Sequence, residues 1–216
     1  MTDSMPRGPI SRIEWVEGEL RRAILGGEFA PGERLLTVQL AERYAVSPTP
    51  LREVLHRFAG EGLVEFIPQK GARVSELNAR DALELAELRA LLDAANLTAA
   101  AQNLLPEHRE QIHQASDRLV QIWQADAGHS PAAELAYREF YQVASRANPS
   151  TRLREHAALV RELGSRYRLA AAALTSSPLI EIHQRLRTAV LDTSPERISE
   201  AVTADTSAFA AAFAAV

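Results

Sequence analysis

The feature that most constrains this fold is a change from helical to strand-like spacing near residue 60. Up to that point apolar residues recur at helical spacing. The last such stripe predicts a buried helix face made of Leu51, Val54, Leu55 and Phe58. Two short β-rich runs follow at 63–67 and 72–74, separated by Pro68-Gln69-Lys70-Gly71, which is typical of a hairpin. We therefore predict a helical segment that is closed by a two-stranded hairpin.

Three helices are predicted before that hairpin. Ser11 with Glu14 three residues later forms a capping box that starts the first helix. Thr37 is predicted to cap a short second helix that runs through residue 44. Ser47 is predicted to cap a third helix with Pro48 at its first position, where a missing N–H group is tolerated. Three helices followed by a hairpin are the arrangement of a winged helix-turn-helix.

The sequence shows no strand pattern from Asn78 onward. Serine followed by proline marks helix starts at positions 130, 177 and 194. Helices are predicted near 79–103, 106–125, 131–147, 150–174, 178–192 and 195–214. We therefore predict a mainly α protein, with an N-terminal winged helix-turn-helix and β-hairpin wing over 8–76 and a C-terminal antiparallel α-helical bundle over 77–216.

Composition limits the classes of function. The chain has no cysteine, which removes disulfides and thiolate metal sites, and no apolar run long enough to cross a membrane. We therefore expect a cytoplasmic protein without a membrane partner. Its histidines lie in no nucleophile or phosphate-loop motif, so we predict that it is not an enzyme. The net charge of −4 comes from residues 76–216, since residues 1–75 hold ten basic and ten acidic side chains.

Residues 20–75 resemble the GntR family of bacterial regulators. The resemblance rests on LRRAILGG at 20–27, FAPGERL at 29–35, LAER at 40–43 and VSPTPLREVL at 46–55, and continues through the hairpin. An all-helical partner domain makes the chain similar to the FadR-type subgroup with its FCD ligand-binding domain. The resemblance implies a homodimeric transcriptional regulator, and a repressor is expected. It further implies that double-stranded operator DNA and a small-molecule effector, an organic acid or related metabolite, are its partners.

The third helix is then expected to lie in the major groove with the wing on the backbone. Arginine can bond a guanine through two atoms, which is the role the resemblance implies for Arg52. Two simpler explanations remain open: Arg52 pairs with Glu53 on the helix surface, and Lys70 is an ordinary turn lysine. The predicted DNA-binding residues are Thr37, Ser47, Thr49, Arg52, Lys70 and Gly71.

The sequence departs from the family at two positions of this segment. Pro48 stands where the family motif commonly has an arginine, and Val38 stands where some members have another. Fewer cationic contacts imply weaker and less salt-dependent binding, or a different operator. A degenerate member that dimerises and binds a protein partner, with little specific DNA binding, is the alternative function.

The predicted effector-binding residues are Arg89, Tyr137, Tyr141, His183 and Asp205. Family members often hold a divalent metal with one aspartate and three histidines, but here tyrosines occupy two of those ligand positions. Glu139, His183 and Asp205 remain weak metal candidates, so we expect that no cofactor is required. Simpler explanations stay open for these residues. The tyrosines can be core aromatics, Arg89 can form an interhelical salt bridge, and His183 can have a structural role.

Overall fold

The structure is a computed structural model that describes residues 12–68, 70–126, 128–170 and 176–214. Its contacts divide the chain into two compact units, Met1–Leu77 and Asn78–Val216. The predicted cap at Ser11 lies outside the described residues. None of the described helices combines the length and the apolar character that a bilayer crossing requires.

The first unit contains three helices and three short strands. The order is α1 (Arg12–Leu25), β1 (Arg34–Leu35), α2 (Thr37–Arg43), α3 (Pro48–Gly60), β2 (Val64–Ile67) and β3 (Gly71–Val74). The predicted apolar stripe of α3 is confirmed, because all four of its residues are buried. They pack in a core with side chains from α1 and from the sheet, such as Leu20, Ile24, Leu63 and Val74.

The starts of α2 and α3 differ in part from the sequence prediction. Leu36 is the N-cap of α2, and Thr37 is the first helical residue, so the predicted cap at Thr37 is wrong. Ser47 is the N-cap of α3 as predicted, with extended backbone and Pro48 directly after it. Its hydroxyl makes no capping hydrogen bond, and since Pro48 and Pro50 lack an N–H group, Thr49 carries the only N–H among the first three helical residues.

The sheet has the strand order β1-β3-β2, and both pairings are antiparallel. The hairpin was predicted, but β1 was not, because two residues are too short to show an alternating pattern. Gly71 begins β3 with φ 81°, a backbone conformation that glycine adopts without strain. Arg34 pairs with Arg73 across the sheet, so β1 ties the wing to the segment before α2.

The second unit is all helical within its described residues, as predicted. Its helices are α4 (Ala79–Ala101), α5 (Pro106–Ala125), α6 (Pro131–Ala144), α7 (Thr151–Leu163), α8 (Ser165–Ala170), α9 (Ser176–Leu191) and α10 (Pro195–Ala214). The single helix predicted over 150–174 is wrong, because Gly164 separates α7 from α8. Ser130 caps α6 as predicted, since its hydroxyl accepts the Ala133 N–H at 3.1 Å.

Helix α10 packs on α4 and on α9, and α5 packs on α6 and on α9. The core between these helices is partly aromatic, and Trp123, Tyr137, Phe140 and Tyr141 are all fully buried in it. Ser177 and Pro178 are the second and third residues of α9, so the predicted cap at Ser177 is wrong by two positions. This arrangement brings polar side chains of α4, α6 and α10 into the same interior.

Candidate functional site

The exposed face of α3 carries Thr49, Arg52, Glu53 and His56. Arg52 makes no ion pair or side-chain hydrogen bond with any described residue. The explanation that Arg52 is paired with Glu53 therefore does not apply to this structure. The guanidinium is free to meet an external partner, as base readout requires.

Most other arginines of the first unit are already paired with glutamates. Arg21 bonds Glu61 at 2.5 and 2.8 Å, and Arg57 bonds Glu17 at 2.7 Å. Arg43 and Arg73 are paired in the same way. Four exposed cations of the first unit have no such partner among its described residues, and these are Arg12, Arg34, Arg52 and Lys70. Arg12 donates instead to the Ala45 carbonyl.

The wing approaches α3 through an aromatic contact that the sequence analysis missed. The rings of His56 on α3 and Phe66 on β2 stack with their centroids 4.3 Å apart. Phe66 remains 42% exposed, so this contact lies at the surface. Lys70 and Gly71 follow in the exposed turn, where the Lys70 N–H donates to the Ile67 carbonyl at 3.0 Å.

The two departures from the family motif line one groove of the first unit. This groove has a volume of about 720 Å³ and lies between α1, α2 and the start of α3. Val38, which is 64% exposed, Pro48 and Pro50 contribute apolar surface to it, and Ser47 lines it too. The surface beside the first turn of α3 is therefore apolar where the family places cations.

In the second unit, four of the five predicted effector residues come together around Asp205. Its carboxylate accepts the Tyr141 hydroxyl at 2.8 Å, the Tyr137 hydroxyl and the Arg89 guanidinium at 3.4 Å. Arg89 also donates to the Tyr137 hydroxyl at 2.7 Å and to Asp93 at 3.2 Å. All five groups are buried, and each bonds another member of the cluster, although Nε of Arg89 has no hydrogen-bond partner among the described residues.

Two further buried ion pairs adjoin this cluster. Arg161 donates to Asp93, and Arg168 forms a two-point contact with Glu134 at 2.8 and 2.6 Å. Within the described residues, the buried charges are three arginines and three carboxylates, namely Arg89, Arg161, Arg168, Asp93, Glu134 and Asp205. The interior of this unit is therefore electrically balanced. The sequence analysis missed Asp93, although its spacing of four from Arg89 on α4 was visible.

His129 completes the environment of Glu134. The Trp123 indole N–H donates to Nδ1 of His129 at 3.2 Å, so the neutral ring carries its proton on Nε2. Nε2 lies 2.8 Å from a Glu134 oxygen and donates to it. Burial acts to raise the pKa of Glu134, but the Arg168 guanidinium and the His129 contact outweigh it and lower this pKa to about 2. Glu134 is therefore an anion at neutral pH.

His183 is separated from the Asp205 cluster by its own contacts. Its Nε2 lies 2.9 Å from the Ser116 hydroxyl, and its ring packs edge-on against Trp123 and Phe140. Burial lowers the pKa of His183 to about 3, and the nearby Arg187 charge adds to the effect. Burial also raises the pKa of Tyr137 and of Tyr141, so both hydroxyls remain protonated donors.

The donor set does not fit a divalent metal. Glu139 is exposed and pairs with Arg118 at 3.2 Å, while His183 bonds Ser116 and Asp205 bonds two tyrosines and an arginine. No group of three or more potential metal ligands occurs among the described residues. Borderline metals need three or four protein ligands, and here each candidate is held by a different partner.

The buried cluster also leaves little room for a ligand. The cavity that adjoins Arg89, Arg168 and Phe209 has a volume of about 20 Å³, against roughly 300 Å³ or more for ligand pockets. An effector at the predicted residues would therefore have to open the ion pairs that hold Arg89 and Asp205. Their assignment as effector contacts stays a prediction.

A winged helix-turn-helix with a free arginine on its third helix is a DNA-binding type of domain. Residues 12–74 match the family described as bacterial regulatory proteins, gntR family. The solved structure of McbR from E. coli covers 92% of this chain and 95% of its own, with 22% identity and a TM-score of 0.77. A GntR regulator from Rhodococcus has a TM-score of 0.75 at 21% identity, covering 96% of this chain and 99% of its own.

Sequence relatives agree with these matches. The regulator McbR of Escherichia coli K12 is 30% identical over 106 residues, which are 49% of this chain and about half, 48%, of McbR. The transcriptional repressor GlaR of the same organism is 29% identical over 189 residues, covering 84% of this chain and 86% of GlaR. Residues 12–74 are therefore a gntR-family DNA-binding region, and the relatives of the chain are named as transcriptional regulators. These relatives and structural neighbours are transcription regulators and not enzymes.

Proposed function

We propose that the chain acts in the cytoplasm as a homodimeric repressor whose affinity for operator DNA is controlled by a small-molecule effector. The observation that carries the DNA-binding part is the free guanidinium of Arg52 on the exposed face of α3. Thr49 lies one turn earlier on the same face. Residues near the start of a recognition helix are the ones that reach base edges in this type of domain.

The first unit also explains why free cations matter here. Its ten basic and eleven acidic residues give no net attraction to phosphate, and most of its described arginines are paired. Binding then depends on the few cations without a carboxylate partner, Arg12, Arg34, Arg52 and Lys70. We propose that Arg52 reads a base, while Lys70 with Gly71 contacts the backbone from the wing. Thr37 begins α2 and Ser47 precedes α3, and we propose that their side chains contact phosphate.

Repression and effector control are supported by the relatives and by the second unit. GlaR is described as a repressor, and so is a D-xylose utilization operon regulator of Paenarthrobacter nicotinovorans, 25% identical over 187 residues. Each recognition helix covers only a short half-site, so affinity depends on two copies engaging together. An effector that alters their spacing is expected to change operator affinity by about 1–3 kcal/mol, and the coupling is reciprocal.

The test measures binding of the full chain to DNA from its own promoter region by gel shift. Arg52→Ala is expected to weaken binding to the specific site by about 1–3 kcal/mol, with a smaller change on random DNA. Arg57→Ala is the matched control, because it removes the same charge from the same helix at a residue already paired with Glu17. It is expected to bind like the wild type.

Three outcomes separate the possible roles. A loss confined to the specific site supports base readout by Arg52. An equal loss on specific and random DNA makes Arg52 a phosphate contact. If the wild type itself prefers no promoter fragment over random DNA, the operator-binding proposal fails, and the protein-partner alternative becomes the better explanation.

A further inference from the structure

We propose that the groove between α6 and α7, here called the outer groove, binds a small anion with two or more negative groups, such as a tricarboxylate. The outer groove is a site apart from the buried Asp205 cluster. The proposal rests on the proposed function in one respect: it assigns a place and a ligand class to the effector. Binding itself can be measured without DNA.

The outer groove is large enough for such a ligand. Its volume is about 390 Å³, within the range of roughly 300–1,000 Å³ found for ligand pockets. Helix α7 contributes Arg154, Ala158 and Arg161, whose spacing of four and three places them on one face. Helix α6 contributes Arg138 and Gln142, also four apart. Two helix faces therefore line a cleft, and the small side chain of Ala158 is an exposed part of its lining.

Arg161 supplies an unsatisfied donor at the inner wall of the outer groove. It is only 4% exposed, and one Nη donates to Asp93. Its Nε atom is buried and has no hydrogen-bond partner. A buried charged donor without an acceptor is costly, and native structures rarely leave one unless a ligand or water completes it. Because Nε itself is buried, a carboxylate in the groove would accept from it once the Arg161 side chain turns outward.

The charges around the outer groove favour an anion. Four arginines line it against two glutamates, Glu155 and Glu162. Glu162 is taken by Arg138, and Asp93 takes Arg161. The remaining two arginines bond only neutral acceptors: Arg146 donates to the Gln111 side chain at 3.1 Å, and Arg154 donates to the Asn148 carbonyl and to Thr151. The guanidiniums of Arg146 and Arg154 are thus not neutralised by a carboxylate contact.

The outer groove also has a route to the buried cluster. Arg161 shares Asp93 with Arg89, and Arg89 contacts Asp205 and Tyr137. An anion that draws Arg161 outward weakens the ion pair between Arg161 and Asp93. The ion pair between Asp93 and Arg89 then changes too, because both arginines share Asp93. A ligand in the outer groove can therefore alter the buried ion pairs without entering the small interior cavity.

Isothermal titration of the full chain with citrate tests the site, with acetate and inorganic phosphate as comparison ligands. Arg146→Gln removes an exposed positive charge from the lining of the outer groove, and Ala158→Glu adds a carboxylate to that lining. Each is expected to weaken citrate binding by about tenfold or more. The matched controls are Arg185→Gln and Ala132→Glu, which make the same changes at exposed positions outside the groove and are expected to bind like the wild type.

Acetate, with one carboxylate, is expected to bind more weakly than citrate, and phosphate binding equal to citrate would assign the site to small inorganic anions. Absence of citrate binding, or equal binding by wild type and both groove variants, overturns the proposal. Gel shifts with citrate separate this failure from that of the proposed function. If citrate binds in the groove without changing DNA affinity, the groove is a binding site but citrate is not an effector. If citrate still changes the DNA affinity of the Arg146→Gln variant, effector control is supported, but the groove is not the effector site.

Discussion

Glu134→Gln removes one negative charge from the interior of the second unit while keeping the shape of the side chain. The Arg168 guanidinium would then be a buried cation without its counter-ion, and His129 would lose a charged acceptor. Removing one partner of a buried ion pair destabilises proteins by about 3–5 kcal/mol. We therefore expect the variant to unfold at a clearly lower urea concentration at pH 7.

The pKa of Glu134 gives a second value for the contribution of this carboxylate to the free energy of unfolding. Its pKa falls from the ordinary 4.5 to about 2 on folding. A difference of that size corresponds to about 3 kcal/mol, in agreement with the first figure. Because the folded pKa is the lower one, this stability is present above pH 4.5 and is lost as the pH falls toward 2. The variant lacks this part of the acid dependence.

Urea unfolding is followed by fluorescence of Trp123, which touches His129, in a Trp15→Phe background so that only the second unit reports. Glu139→Gln is the matched control, since Glu139 is an exposed glutamate of the same helix paired with Arg118. Exposed pairs contribute about 0–1 kcal/mol, so the control is expected to unfold nearly like the wild type. If Glu134→Gln destabilises no more than Glu139→Gln, or if both variants share the acid dependence of the wild type, the reasoning is wrong.

Three further predictions concern the other sites. Pro48→Arg restores a cation at the start of α3, so the logarithm of DNA affinity is expected to fall more steeply with salt, by about 0.9 per added phosphate contact, and an unchanged slope would contradict this. Burial holds the pKa of His183 near 3, so the folded chain loses stability as the pH falls below 6.5, and His183→Phe is expected to lose less in urea titrations between pH 6 and 5. After dialysis the protein is expected to hold far less than one equivalent of zinc, nickel or manganese, and elemental analysis near a full equivalent would refute the poor fit of His183, Asp205 and Glu139 to a metal.

The sequence carried much of the fold because helix periodicity reports burial directly. The apolar stripe of α3 and the proline and serine signals at α6 were both sufficient to locate those helices. Interruptions were harder to predict. Gly164 breaks the α7–α8 segment, yet single glycines occur inside intact helices, and β1 is too short to show a period.

The candidate sites were only partly predictable for a different reason. Family positions pointed to Arg89 and Asp205, which lie 116 residues apart and meet in the structure. Nothing in their spacing could show that they satisfy each other and leave almost no cavity. The outer groove depends on which arginines fail to find a carboxylate, and this is decided by packing between α6 and α7.

The equal number of buried arginines and carboxylates in the second unit restricts how this sequence can evolve. Any single replacement of one of these six residues by a neutral one leaves a net charge inside the protein. Neutral drift is therefore expected to proceed by paired exchanges, such as loss of Arg168 together with Glu134, which form a two-point contact. Among descendants of this chain, these partners are expected to be kept together or lost together, while the exposed pairs change one member at a time.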